Sequence, residues 1–365
     1  MSLFQFNQFS TVIFTTNIDP DTGAINTTGF TKDNTREIEV IKDSFVVDQT
    51  VSEAYIESSN LLDTTTYADK ISSVNVPEGS FSLSIYFNSS ANGPHSPLLW
   101  KSLINKPLEQ QDGYIEQNLF REDTYVPVFG IIVVSNGITY LIENCRTQSV
   151  ELSTNIQELV TLNWSGNFTS FKILGKTTIT EDEENSEYAL SGALTGVMLD
   201  DKLSNYTLCM SKLTKVGISK TGELAPQGYI AFTDFNINIA NELLFVENKG
   251  IDRTTLNQIF VGTKKFDITG SATFYTRNAG YAYDLVKDII DSRNPDYTEV
   301  DIDNRTKYKL FIYLTKPNDD PLAEIIIDGL TMTVSVELGQ IFSNTISFKL
   351  SETENSVSSA IKFYH

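Results

Sequence analysis

Apolar and small polar residues alternate without interruption along Gly79-Ser80-Phe81-Ser82-Leu83-Ser84-Ile85-Tyr86-Phe87. That is the period of a strand with one dry face and one wet face. A second alternating run, Thr147-Gln148-Ser149-Val150-Glu151-Leu152, is met again 186 positions later as Thr333-Val334-Ser335-Val336-Glu337-Leu338, identical at five of six places. At the same offset Val160, Leu162 and Trp164 fall on Ile346, Phe348 and Leu350, with Thr161 on Ser347. The run at 79–87 has its own counterpart at 270–276, displaced by 191. A shared alternation with no gap across both strands predicts one folding unit used twice.

Between these strands the pattern changes. Helices are predicted over 96–105 and 281–292, where Pro97 suits a first turn and Leu99 with Leu103, and Leu285 with Ile289, stand on one face. Continuous apolar runs at 129–134 and 309–314 predict buried strands. Ser135-Asn136-Gly137 predicts a tight hairpin, and 316–321 a longer one. Strands are also expected over 4–14 and 37–47, separated by a polar loop through Asp19-Pro20-Asp21-Thr22-Gly23. That pentapeptide has the opening spacing of a calcium loop but lacks the acidic ligand about seven residues on, so a tight turn explains it better. Residues 48–74 read as a long polar loop. The expected fold is mainly β: two tandem homologous modules, each a β-sandwich or barrel with one short helix. The first module covers 1–180, an acidic linker 181–187, and the second module 188–365.

Composition supports this division. A chain of 365 residues is long for one core and comfortable for two of about 180. At 40% hydrophobic residues it has enough apolar surface to exclude a disordered chain. Residues 1–180 hold 10 Lys+Arg and 20 Asp+Glu, and residues 181–365 hold 17 and 27, so each half carries −10 of the total −20. Such a surface repels nucleic acid and anionic membranes, which excludes sequence-specific DNA binding. It remains suited to a surface that DNA must slide past without sticking.

Candidate chemistry is sparse. His95 and His365 are the two histidines, too few for a histidine triad or a histidine metal cage. No Gly-rich phosphate loop or Gly-X-Ser-X-Gly occurs, and the 47 acidic residues single out no catalytic pair. The expectation is a protein that is not an enzyme, with no catalytic, cofactor or metal site. Cys145 and Cys209 are expected as reduced, buried thiols. The opening residues 1–7 lack the features of a signal peptide, and no apolar run approaches the ~18 residues of a membrane span.

What stands out instead is the wet face of the repeated strands. It carries Thr147, Ser149, Glu151, Thr161 and Asn163 in the first half, and Thr331, Thr333, Ser335, Glu337, Ser347 and Lys349 in the second. Small hydroxyls and isolated charges mark any half-exposed sheet. They also suit the wall of a hydrated channel. A ring would protect the open sheet edges by continuing the sheet through its neighbours. Charge placed at Ser149 or Ser335 is expected to be tolerated by folding, and charge at Val150 or Val336 is not.

The strand at 81–87, the helix at 97–105 and the paired hairpins 139–164 and 324–350 together resemble the tail tube proteins of long-tailed bacteriophages, in the variant with two fused tube modules per chain. The resemblance implies a structural virion protein made in the host cytoplasm. It implies homotrimeric rings of pseudo-sixfold symmetry that stack into a tube, meet other tail proteins, and conduct phage DNA past the wet faces just named, with no membrane partner. Loops at 48–74 and near 247–263 would make ring-to-ring contacts. The alternative reading is a β-sandwich adhesin or carbohydrate-binding component of a tail or baseplate.

Overall fold

A computed structural model of the protein describes residues 4–5, 11–31, 33–49, 79–90, 93–94, 97–103, 109–119, 126–135, 138–155, 158–176, 207–209, 214–246, 258–261, 266–275, 280–291, 307–316, 319–338, 342–350 and 359–364. The first half of the chain supplies β1 (Phe4–Gln5), β2 (Thr11–Thr15), β3 (Thr35–Ile38), β4 (Val46–Gln49), β5 (Gly79–Tyr86), β6 (Asn88–Ser90), β7 (Gly93–Pro94), helix α1 (Pro97–Leu103), β8 (Glu109–Gln111), β9 (Tyr114–Asn118), β10 (Phe129–Ser135), β11 (Ile138–Asn155), β12 (Thr161–Phe168) and β13 (Ser170–Lys176). The second supplies β14 (Thr207–Leu208), β15 (Thr214–Lys220), β16 (Phe232–Ala240), β17 (Leu243–Val246), β18 (Gln258–Val261), β19 (Asp267–Tyr275), helix α2 (Tyr281–Asp291), β20 (Tyr308–Thr315), β21 (Pro321–Leu338), β22 (Phe342–Leu350) and β23 (Ala360–Tyr364). The protein is mainly β, and 18 of these strands join in one antiparallel sheet. The predicted loop at 48–74 lies outside the described residues apart from the end of β4, and the predicted linker at 181–187 lies outside them entirely.

Two strands of 18 residues, β11 and β21, organise the sheet. The first part of β11 pairs with β10 and β13, and its second part with β12 and β16. The first part of β21 pairs with β20 and β23, and its second part with β22. Each strand thus passes from one layer to another, and each does so through a bulge. Against β10 the register jumps from Phe129↔Cys145 to Ile131↔Ile142; against β20 it jumps from Tyr308↔Leu330 to Leu310↔Ile327. The residue at each jump is left-handed, Asn144 at φ 54° and Gly329 at φ 81°. A bulge of this kind bends the strand and sharpens its twist, and only Gly or Asn adopts that φ cheaply.

A buried carboxylate precedes each left-handed residue. Glu143 Oε1 accepts the Ile25 N–H at 3.1 Å, and Oε2 accepts the Ser170 hydroxyl at 3.0 Å and Lys172 Nζ at 2.6 Å. Asp328 Oδ1 accepts the Thr221 hydroxyl at 2.9 Å and the Gly329 N–H at 2.8 Å. These bonds satisfy acceptors that burial would otherwise penalise.

The layers close over one large core. Phe129 on β10 stacks on Phe14 at 4.6 Å and meets Phe81 on β5 edge-on at 5.9 Å, across the two layers. A satellite core of Ile13, Ile25, Ile132 and Leu141 covers the other side of β2 and β10, which is why β10 is buried on both faces. Helix α1 lays Leu99, Trp100 and Leu103 on the core, with Trp100 edge-on to Trp164 at 5.2 Å. Helix α2 buries Leu285, Val286 and Ile289 in the same way. Both helices begin and end close to the predicted bounds. The pentapeptide at Asp19 is a turn: Asp19 Oδ1 accepts the backbone N–H groups of Asp21 and Thr22, which hold its carboxyl below the ordinary value. Both cysteines are buried thiols outside any disulfide, and burial pushes the Cys209 thiol up to about 11.

Counting from the two bulges, the pairing order β2–β10–β11–β12–β5–β4 is met again as β15–β20–β21–β22–β19–β16. The gapless offset of 186 does not survive. Val150 faces Trp164, whereas Val336 faces Asn344 rather than Leu350. A second bulge between Thr147 and Ser149 adds Gln148 to β11, and the β11–β12 connection is longer than the β21–β22 connection. Ser149 therefore occupies the place of Thr333, and Leu152 that of Val336. Replacing Gly329 by Val is expected to lower stability by about 1–3 kcal/mol, and by Asn by less than about 1 kcal/mol, since Asn144 already fills the equivalent site. Urea unfolding midpoints check this; equal losses for both variants would refute the role of φ.

Candidate functional site

Eight strands, β4–β5–β12–β11–β16–β19–β22–β21, run side by side as one continuous surface. Alternation along each strand sends Phe81, Leu83, Trp164, Val150, Ile237, Phe274 and Ile346 into the core. The residues between them form a single polar face. Pairing sets those residues in rows across the strands. One row runs Ser84, Asn163, Glu151, Asn238, Thr269, Lys349, Thr331. The next runs Tyr86, Thr161, Ser153, Asn236, Ser271, Ser347, Thr333. Ser149 and Ser335 belong to the rows on either side.

The structure therefore brings together Ser149, Glu151, Thr161, Asn163, Thr331, Thr333, Ser335, Ser347 and Lys349 on one face. Thr147 is a correction: it is buried, and its hydroxyl is hydrogen-bonded to that of Ser102 at 2.7 Å beneath helix α1. The bulge at Gln148 reverses the side presented by the residue before it. Glu337 pairs with Ser343 through its backbone, and its side chain lies outside the described residues. Strand β16, which supplies Asp234, Asn236 and Asn238 to the face, was not predicted. Its signal was present in the alternation Phe235-Asn236-Ile237-Asn238-Ile239.

Hydroxyls on the face bond mainly to one another or to backbone. Ser149 pairs with Ser165 at 2.7 Å, Ser153 with Thr161 at 2.9 Å, and Thr273 with Thr345 at 3.0 Å. Asn236 Oδ1 accepts the Ser271 N–H at 2.9 Å. Ser84, Ser149, Glu151, Asn163, Ser165 and Asn238 line a shallow open depression of about 300 Å³. Among the described residues of the rows from Asn155 to Ser149, the charges are Asp234, Glu151 and Asp267 against Lys349, so the sign is negative. No group of three or more His, Cys, Asp or Glu among the described residues is placed to hold a metal ion. No described helix is long and apolar enough to cross a membrane.

One further correction concerns Val336. It is not a core position but 45% exposed. Residues 331–338 have β22 on one side and no strand on the other among the described residues, whereas 149–153 have both β12 and β16. Charge at Ser149 or Val336 should accordingly leave the unfolding free energy, read from urea titration, within about 0.5 kcal/mol of the parent, while Val150→Asp should cost more than about 4 kcal/mol. A loss at Val336→Asp as large as at Val150→Asp would refute this assignment.

Neither a scan against protein-family models nor a search of curated proteins finds a match.

Proposed function

We propose that this chain is a structural tube subunit, built from two fused copies of one sheet-forming unit, whose copies join edge to edge into rings with the polar face inward. Following the family that it resembles, three chains make a ring of six units, rings stack into a phage tail tube, and DNA passes along the lumen. Its role is mechanical, without catalysis.

The observation that carries this reading is a difference in exposure between equivalent positions. Leu152 lies between Leu162 and Ile237 at the internal joint and is 2% exposed, while Val336, in the same place in the second half, is 45% exposed. The outer layer repeats the contrast. Ile361 on β23 lies between Ile325 and Gln117 and is 0% exposed. Its counterpart Ile173 on β13 pairs, among the described residues, with Tyr140 on one side only and is 57% exposed. Among the described residues, what β16 and β9 cover inside the chain is uncovered at its two ends. A second copy set against the first as the second half is set against the first half would cover both. Each aliphatic side chain so buried contributes about 1.5–3 kcal/mol at most. One such joint is weak, and a closed ring of them is cooperative.

Purified protein should form rings or hollow tubes visible by negative staining, slowly or on seeding. Val336→Asp and Ile173→Asp should each leave the unfolding midpoint unchanged and abolish assembly; assembly at the parental rate in both would refute the reading. Separately, Ser149→Lys with Ser335→Lys should give tubes that retain DNA at low salt and release it as salt rises, because counterion release makes basic surfaces adhesive. Filter binding across a salt series checks this, and DNA retention no greater than the parent's would argue against an inward polar face.

A further inference from the structure

An edge that receives a second copy has to be vacant or vacatable. The far end of the eight-strand run is β4, and its outer edge is occupied: β1 pairs with it antiparallel, Phe4 opposite Val47 and Gln5 opposite Val46. Strand β4 is the counterpart of β16, for it pairs with β5 as β16 pairs with β19. In that correspondence Val47 stands where Ile237 stands, since Val47 faces Phe81 and Ile237 faces Gly270. β16 carries β19 on one side and β11 on the other, both antiparallel. β1 therefore lies on β4 where β11 lies on β16.

We infer that the outer edge of β4 is the seat for residues 334–337 of a second copy, and that β1 is a short strap holding that seat until the second copy displaces it. This rests on the ring reading above and adds both the register and its control. Transferring the Leu152↔Ile237 pair sets Val336 of one copy opposite Val47 of the next, and Ser335 opposite Asp48. Val336 then gains the apolar neighbour that Leu152 already has. The exchange is favourable in length. The strap pairs with two residues of β4, whereas Val334 to Glu337 of the second copy would pair with all four, Val46 to Gln49. An exposed edge strand invites unwanted pairing with any other strand. A two-residue cover blocks such encounters and yields to a longer, register-matched edge.

Two sets of cysteine pairs test the seat and the strap separately. Val47→Cys with Val336→Cys, oxidised during assembly, should give disulfide-linked closed oligomers on non-reducing gels. Val46→Cys with Val336→Cys should not, because successive residues of a strand point to opposite faces. Phe4→Cys with Val47→Cys should lock the strap when oxidised, block ring formation, and release it on adding reductant. Deleting residues 2–6 should raise the initial assembly rate about tenfold, the factor expected when roughly two net backbone hydrogen bonds no longer have to be broken. Rings that form normally with the strap locked would overturn the strap and leave the ring reading standing. Rings that form without the Val47–Val336 link would overturn the register. Absence of rings from the unmodified protein, even when seeded, would remove the ring reading itself.

Discussion

Seven consecutive backbone pairs, from Ser149↔Ala240 to Asn155↔Asp234, are the joint on which the architecture depends. Every strand at the margin of a sheet carries unpaired N–H and C=O groups, and water satisfies them less specifically than another strand does. Joining β11 to β16 converts what would be two four-stranded sheets with four margins into one eight-stranded sheet with two. At about 0.5–1.5 kcal/mol net per hydrogen bond, the pairing is a moderate contribution to stability. Its larger effect is geometric. It fixes the relative position of the two halves, makes the polar face continuous, and leaves at each end the half of a joint that the middle has completed.

That joint exists because the long strands bend. A straight strand of 18 residues could serve one layer only. The left-handed residues Asn144 and Gly329 turn each strand out of the outer layer and into the polar-faced sheet. Bending leaves backbone N–H groups that need partners, and Glu143 and Asp328 accept those of Ile25 and Gly329. Lys172 is half exposed, so its pairing with Glu143 keeps access to water while the carboxylate stays buried. Above the bend Ser102 fixes helix α1 to Thr147, and Trp100 reaches both Trp164 and Phe363. The bend, the helix and the core thus stabilise one another.

Much of this was legible in the chain. Alternation located β5, β12, β19 and β22, and the two helices follow from apolar residues at helical spacing. Register was not legible, for a physical reason. A period of two is unchanged by a slip of two, so the matched hexapeptides at 147–152 and 333–338 identify the correct faces from Ser149 onward while standing two places out of true correspondence. Bulges are the usual cause of such slips, and Gln148 carries no residue type that announces one. Packing adds a further disguise. Phe81 lies over Gly166, and Phe348 over Gly270, with an added Cβ coming within 2.5 Å of the ring in each case. The site is the same in both halves, yet the aromatic ring and the glycine have exchanged strands. Comparison of the halves residue by residue misses that equivalence, which only the pairing of Phe81 with Gly166 and of Gly270 with Phe348 reveals. Val336 was misassigned for another reason: alternation reports which way a side chain points, not whether a neighbouring strand is there to cover it.

The polar face is suited to the proposed conduit less by being polar than by being largely satisfied. A hydroxyl free to donate would bind a phosphate oxygen, and many in a row would hold DNA fast. Here Ser149 is occupied by Ser165, Ser153 by Thr161 and Thr273 by Thr345, so fewer donors remain for a passing backbone. The remaining charges do not cancel locally. Glu151 and Lys349 share a row but are separated by Asn238 and Thr269, three strand spacings or roughly 14 Å, beyond the screening length in physiological salt. Among the described residues of these rows Lys349 is thus the one positive charge on a face whose other charges, Asp234, Glu151 and Asp267, would repel phosphate. A single cation releases too few counterions to anchor a duplex, and the surrounding carboxylates shorten any stay. In the proposed conduit, polarity would keep the face hydrated, mutual hydrogen bonding would lower its adhesiveness, and negative sign would keep a polyanion off its surface.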